Sequence, residues 1–217
     1  MSAESGLKTF RDNDGLWNDH RVEDVATPEA WASNMELVIQ FYNERRKQLL
    51  ECEPNPAHYA IAELEKKFDV HVITQNVDDL HERAGSTNVI HLHGELKKVR
   101  STADPGLVFE LEGWELKVGD LCPRGSQLRP HIVWFGEPVP NIIRAAEITT
   151  TADILLVVGT SMKVYPAAGL VHYAPHECRK YYIDPSAYEQ SWVENLEVIR
   201  EKAGVALPVL VRELMKD

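Results

Sequence analysis

Three observations predict an α/β fold, a Rossmann-like parallel sheet carrying a small lobe formed by two insertions. First, short apolar runs rich in β-branched residues, Val70-His71-Val72-Ile73 and Ile154-Leu155-Leu156-Val157-Val158, read as buried strands. Second, segments with helical spacing separate them. Third, polar clusters follow directly on strand ends: Thr74-Gln75-Asn76-Val77-Asp78 after the first run and Gly159-Thr160-Ser161 after the second. In open α/β sheets the carboxyl edge of the strands is where ligands sit.

In chain order, Pro28 to about Cys52 predicts one long helix, with Trp31, Met35, Val38, Tyr42 and Leu49 on one face. Pro54 and Pro56 end it, and a second helix is expected from about Ala57 to Lys67 with Ile61, Leu64 and Phe68 inward. A short helix, roughly Asp78 to Ala84, is closed by Gly85, a natural left-handed terminator. A second strand, Asn88 to His93, returns to the same edge. On a strand, His91 and His93 face one side, because the side-chain period is two. Lys97 to Arg129 reads as a loop-rich insertion. Its alternating Glu110-Leu111-Glu112 and Glu115-Leu116-Lys117-Val118 suggest strands, with Leu107, Val108, Phe109, Leu111, Trp114, Leu116 and Val118 packing it. A helix is expected to begin at Ala145-Ala146, and a last one to run from about Pro208 to Met215. The predicted organisation is residues 1–25, 56–98 and 130–217 as the Rossmann-like domain, and 26–55 with 99–129 as the small lobe.

A formal net charge of −11, from 23 Lys+Arg against 34 Asp+Glu, argues against nonspecific binding to nucleic acid or anionic membrane. No apolar run is long enough to span a bilayer. The odd, widely spaced Cys52, Cys122 and Cys178 suggest reduced thiols and a cytoplasmic protein rather than a disulfide framework.

Thr74-Gln75-Asn76-Val77-Asp78-Asp79-Leu80-His81, then Ala84-Gly85 and His93-Gly94, resemble the sirtuins, the NAD-dependent protein lysine deacylases. That family carries T-Q-N-(I/V)-D-x-L-H-x-x-A-G and a short strand ending in H-G. The resemblance extends outward to Leu128-Arg129-Pro130 with Phe135-Gly136-Glu137, to Gly159-Thr160-Ser161, and to Ser5-Gly6-Leu7 with Phe10-Arg11. The family motif at the start is preceded by a strand and Gly-Ala-Gly, which this chain is expected to lack. In a Rossmann-type sheet that strand is central, so a shortened chain or a start set downstream, weakened NAD binding and an altered oligomer are expected.

The resemblance implies roles. NAD is bound by Phe10, Arg11, Gln75, Asn76, Val77, Asp78, Gly159, Thr160, Ser161, Asp184 and Ala203. Where the family has Asn before the acidic residue, this chain has Tyr182, so only Asp184 is carried over. His93, the histidine before Gly94, is the general base, a task that suits a group titrating near neutrality. The acylated-lysine protein substrate meets Val133, Phe135, Gly136, Glu137, Val164 and Tyr165, in part as an added strand. The acyl oxygen attacks the nicotinamide ribose, nicotinamide leaves, and O-acyl-ADP-ribose is released.

Tyr42 and Arg45 lie three apart on one helix face. Read from the residues alone, they are a core-edge Tyr beside a solvated run, Arg45-Arg46-Lys47. The resemblance implies a carboxylate receptor instead, since one sirtuin subclass carries Y-x-x-R here and removes succinyl and malonyl groups. Arg suits that role through its planar bidentate fork. Most of the family also binds a structural zinc through two Cys pairs. Here Ser101-Thr102-Ala103-Asp104 replaces one pair and Cys122 alone survives of the other, so zinc is expected to be absent. Two other readings use the same residues: an NAD- or ADP-ribose-binding module without turnover, and a metal hydrolase built on His91, His93 and Glu95.

Overall fold

The computed structural model describes residues 1–7, 16–17, 20–191 and 193–216. A 3-10 turn, Ser2–Ser5, opens the chain. A two-residue hairpin, β1 (Leu16–Trp17) and β2 (His20–Arg21), and helix α1 (Val22–Val25) follow. Then come α2 (Pro28–Ser33), α3 (Met35–Glu51) and α4 (Pro56–Leu64). The remaining elements are β3 (Val72–Thr74), α5 (Leu80–Arg83), β4 (Val89–His91), β5 (Gly94–Ser101), β6 (Val108–Glu110), β7 (Leu128–Ile132), α6 (Ile142–Thr149), β8 (Ile154–Val158), a 3-10 turn at Ala167–Tyr173, β9 (Arg179–Ile183), β10 (Leu196–Ile199) and α7 (Ala203–Leu214).

The predicted long helix is two helices. Asn34 breaks it: its side-chain oxygen accepts the Leu37 N–H at 3.1 Å and caps α3, while its own N–H closes α2 on Ala30. Asparagine at a cap outcompetes continuation of the apolar stripe. The final helix starts at Ala203, earlier than Pro208, which lies inside it and has no N–H to donate to the Gly204 carbonyl. Helix α6 likewise begins before Ala145.

The parallel strands form two blocks. One is β10-β9-β8 and the other is β3-β4. Helices α4 and α7 pack on one face through Ile61, Leu64, Leu207 and Leu210. Helix α6 packs on the other, with Ile90, Leu92 and Ala145 in its core. This is the mixed α/β architecture predicted, with parallel pairing throughout the nucleotide-fold part. Strand β8 was expected to be buried, yet each of its five residues is half-exposed.

The antiparallel sheet β6-β5-β7 carries the second insertion. Its strands run beyond 99–129 on both sides, since β5 starts at Gly94 and β7 ends at Ile132. Residues Leu111 to Val118 are not strands. The chain there is fixed by α3: Asn43 donates to the Leu116 carbonyl at 2.8 Å and accepts the Leu116 N–H at 3.0 Å. Of the predicted packing residues only Leu116 is fully buried; Val108 and Val118 are exposed. Leu116 joins Ile39 and Val99 in a small core of its own.

Candidate functional site

One cleft of about 1240 Å³ runs along the carboxyl ends of β3, β8 and β9 and reaches the segment after β7. Gln75, Asn76, Val77, Asp78, His93, Gly159, Thr160, Asp184, Ala203, Tyr42, Arg45, Val133, Phe135, Gly136, Glu137, Val164 and Tyr165 all line it. Residues up to 161 positions apart in the chain, Tyr42 and Ala203, are therefore brought to one cleft. Ser161 is not among the lining residues. Phe10 and Arg11 lie outside the described residues.

His93 sits in the two-residue bend between β4 and β5, not on the strand. Its Nδ1 is 3.1 Å from the Gln75 carbonyl oxygen. A carbonyl only accepts, so Nδ1 carries the proton and Nε2 keeps its lone pair. Burial lowers the pKa of His93, partly opposed by that hydrogen bond, which favours the neutral ring. Gly94 makes the bend possible. Its φ is +84°, and a Cβ there would meet the His131 carbonyl oxygen at 2.0 Å.

His91 differs. It is buried, with Nδ1 3.2 Å from the Asn76 carbonyl and Nε2 2.7 Å from Glu82. Burial opposes its charge, but the Glu82 hydrogen bond, Glu82 and Glu95 charges and the Asn76 carbonyl raise its pKa overall. Both nitrogens thus face acceptors, and the doubly protonated ring is favoured. Among the described residues, the one three-membered group able to hold a metal is Glu82, His91 and Glu95. His93 is not in it. The expected His91-His93-Glu95 arrangement does not form, because His93 has left the strand.

Asn76 and Asp78 belong to a network the sequence did not reveal. Asn76 donates to the Ser2 hydroxyl at 2.7 Å, and Ser2 in turn hydrogen-bonds Asp78. Asp78 is buried. Desolvation raises its pKa, against the Ser2 and Leu80 N–H hydrogen bonds. The opening turn also supplies Glu4, whose carboxylate accepts the Ala203 and Gly204 N–H groups, both at 3.0 Å, at the N-terminus of α7. Ala203 lines the cleft, but its amide is engaged by Glu4. Tyr182, at the position where the family has Asn, is buried and donates to the Thr160 carbonyl at 2.9 Å. It anchors the turn after β8. One Asp184 oxygen accepts the Ser186 N–H at 2.8 Å, a local turn contact.

At the other end, Tyr42 and Arg45 are both buried, and so is Arg46. The solvated-run reading holds only for Lys47, which is exposed and lies over the Trp114 ring at 3.6 Å. Arg46 spans inward to the Leu96 carbonyl at 2.6 Å and to Asn43 at 2.7 Å. Arg45 has its pKa lowered to about 10 by burial, so it remains a cation at neutral pH. Burial pushes the Tyr42 phenol well above its ordinary value.

The segment after β7 is a turn, not a strand. Glu137 binds Arg129 at 2.7 Å and Arg100 at 3.2 Å, and accepts the Trp134 N–H at 2.8 Å. Its carboxylate therefore holds the turn together. The Val133 N–H goes to the His93 carbonyl and the Phe135 N–H to the Ala26 carbonyl. Phe135 and Tyr165 expose their rings at the cleft, 51% and 71% respectively, an apolar rim of the kind that marks an interaction surface.

The lobe residues do not fit a zinc site. Cys122 Sγ lies 3.4 Å from Ser101 Oγ, which accepts the Ala103 and Asp104 N–H groups. Arg124 pairs with Asp104 at 2.8 Å, and Thr102 bonds Gln127. A hydroxyl and one thiol stand where four Cys or His ligands are needed.

Residues 1–166 match the model of the Sir2 family. The chain belongs to that family. A Helicobacter pylori protein named NAD-dependent protein deacylase is 51% identical over 216 residues, covering 100% of this chain and 94% of the relative. A Bacteroides thetaiotaomicron protein of the same name is 52% identical over 220 residues, covering 99% and 94%. Among solved structures, an ADP-ribose complex of a Sir2 homologue mutant matches with TM-score 0.90 at 42% identity, covering 99% of this chain and 88% of that one. An NAD complex of a Sir2 homologue matches with TM-score 0.88 at 44% identity, covering 99% and 86%.

Proposed function

We propose that this Sir2-family chain is an NAD-dependent protein lysine deacylase that accepts acidic acyl groups, succinyl and malonyl, as well as acetyl. The observation that carries the deacylase reading is identity of about half over nearly the whole length with relatives of that name. The donor set in the cleft fits NAD: amide groups on Gln75 and Asn76, the Thr160 hydroxyl and the Asp184 carboxylate lie at the carboxyl ends of parallel strands. Bound NAD supplies the ribose carbon to which the acyl oxygen is transferred. The chain's own residues do the rest. Asn76 and Asp78, steadied by Ser2, orient the nicotinamide end. His93, with Nδ1–H fixed on Gln75, uses Nε2 to take a ribose hydroxyl proton. Phe135, Val164 and Tyr165 cover the lysine stem and exclude water.

The acceptance of acidic acyl groups is supported by a buried guanidinium and a buried phenol lining the same cleft as His93. A guanidinium offers a planar fork that an acyl carboxylate can meet with charge-assisted hydrogen bonds. The unpaired ligand set argues for a zinc-free lobe, and three free buried thiols argue for a reducing, cytoplasmic setting. Among the described residues, no helix is long and apolar enough to cross a membrane.

The test is mass spectrometry of acetyl-lysine and succinyl-lysine peptides incubated with the protein, with and without NAD. Loss of the acyl mass only with NAD, together with nicotinamide release, is the expected result. NAD binding without turnover would support a binding module instead.

A further inference from the structure

Outside the cleft, three side chains from three elements converge. Glu82 comes from α5, His91 ends β4, and Glu95 stands at the start of β5. One ring nitrogen of His91 and one carboxylate oxygen each of Glu82 and Glu95 lie within 4.8 Å of one another. None of the three lines the cleft that holds His93.

The imidazole is oriented from outside this group. Its Nδ1 faces the Asn76 main-chain carbonyl at 3.2 Å, and its Nε2 faces Glu82 at 2.7 Å. A carbonyl that accepts from Nδ1 fixes the ring and presents Nε2, which is how metal-bound histidines are held. The carboxylates can follow. Glu95 pairs with Lys98 at 2.9 Å, but Lys98 also reaches Glu110 at 3.6 Å and keeps an anion when Glu95 turns. The ring is buried, whereas the Glu82 and Glu95 side chains are 40% and 27% exposed, so an ion has a path in from solvent. A tetrahedral ion about 2.0–2.2 Å from each ligand holds them about 3.4 Å apart. Rotation about the glutamate side-chain bonds covers the difference.

We propose that Glu82, His91 and Glu95 bind one divalent transition-metal ion of the zinc type, with water in its fourth position. One imidazole with two carboxylates suits zinc, cobalt or nickel, whereas magnesium prefers an all-oxygen shell. The ion takes the place of the proton that Nε2 shares with Glu82. With one nitrogen ligand and two solvent-facing carboxylates it exchanges, so dialysis or a chelator removes it. Bound, it ties α5 to β4 and β5. The site is separate from the lobe and from the turnover residues, and so independent of the deacylase reading.

The probe is zinc chloride titrated by calorimetry into the tag-free, dialysed protein. One site per chain is expected, with a melting temperature that rises and saturates as zinc is added. Magnesium should do neither. Glu82→Gln and Glu95→Gln should each weaken zinc binding by about tenfold or more, and His91→Gln by more still. The two glutamine variants of the carboxylates keep side-chain volume, so the test stands even where His91→Gln fails to fold. His93→Ala and Cys122→Ser should bind zinc as the parent does. Cobalt in place of zinc should give d–d absorption with no thiolate charge-transfer band. No saturable zinc binding, or binding unchanged in Glu82→Gln and Glu95→Gln, would overturn the proposal. Binding lost in His93→Ala or in Cys122→Ser would overturn it too, by placing the ion in the cleft or in the lobe.

Discussion

The Trp134 indole N–H donates to the Tyr42 hydroxyl across 3.1 Å, tying helix α3 to the turn after β7. Both groups are buried, so one contact sets the position of the phenol relative to Arg45, one helical turn away. Arg45→Met should therefore cut kcat/KM for succinyl-lysine about tenfold to a hundredfold more than for acetyl-lysine, the worth of one charge-assisted hydrogen bond of about 1.5–3 kcal/mol. Tyr42→Phe should show the same preference for loss, and also destabilise the fold by about 1–3 kcal/mol, because the Trp134 donor is left buried without its acceptor. Equal losses on the two substrates would make the pair purely structural.

Glu137 gathers Arg129, Arg100 and the Trp134 amide at one carboxylate. Burial raises its pKa, but the Arg129 hydrogen bond and the neighbouring charges hold it below the ordinary range. Glu137→Gln leaves two largely buried guanidinium groups without their anion. Breaking such a pair costs about 3–5 kcal/mol. Urea unfolding should register a loss of that order, and substrate-peptide affinity should fall with it, since the turn carries Phe135 and Gly136.

His58 and His81 stack edge-to-face with ring centroids 4.9 Å apart, both buried. Burial, with mutual repulsion contributing at His58, lowers their pKa values to about 3 and about 4. Both lie below the unfolded value near 6.5. The unfolded chain therefore takes up protons first as pH falls, and stability is full above about 6.5 and declines toward 4. Denaturant midpoints should drop between pH 7 and pH 5. His81→Phe, which keeps an aromatic ring at that contact, should flatten the decline; an unchanged slope would place its origin elsewhere.

The lobe is held by Ser101, Cys122, Arg124 and Asp104 through hydrogen bonds and an ion pair. Elemental analysis after dialysis should find zinc far below one equivalent. Chelator treatment should leave the melting temperature unchanged, in contrast to sites where metal binding supplies the folding free energy.

Much of this site was legible because its residues follow strand ends in short, irregular motifs. Gln75, Asn76, Asp78 and Gly159 were placed by local pattern alone, since a strand end fixes where the next few residues go. What escaped depends on distant partners. Ser2 and Glu4 act on Asn76 and α7, at separations of 74 and 199 residues, and nothing in the local sequence signals this. Arg46 reads as surface charge until Leu96 and Asn43 are seen to receive it. The helix break at Asn34 is hidden in the sequence because apolar spacing continues across it, whereas capping is decided by one side chain. Leu111 to Val118 has strand-like alternation, but without a neighbouring strand to pair with, α3 fixes it instead.

His93 is the residue on which the proposed chemistry turns. The side-chain hydrogen bond from Nδ1 to the Gln75 carbonyl fixes the tautomer but contributes little to stability, and the ring is only half-buried. His93→Ala should therefore lower turnover about a hundredfold to ten-thousandfold, the worth of a positioned base, with the unfolding midpoint almost unchanged. His91→Ala should behave in the opposite way. That ring is buried and joins Asn76 to Glu82, so its removal should cost stability before it costs chemistry. The pH profile separates the two further. A base must be unprotonated to act, and the pKa of His93 is lowered by burial. In the free enzyme, kcat/KM should hold its plateau below pH 6.5, the ordinary His value, before the acid limb appears. A limb well above 6.5, or near-wild-type turnover in His93→Ala, would assign the proton transfer to another group in the cleft.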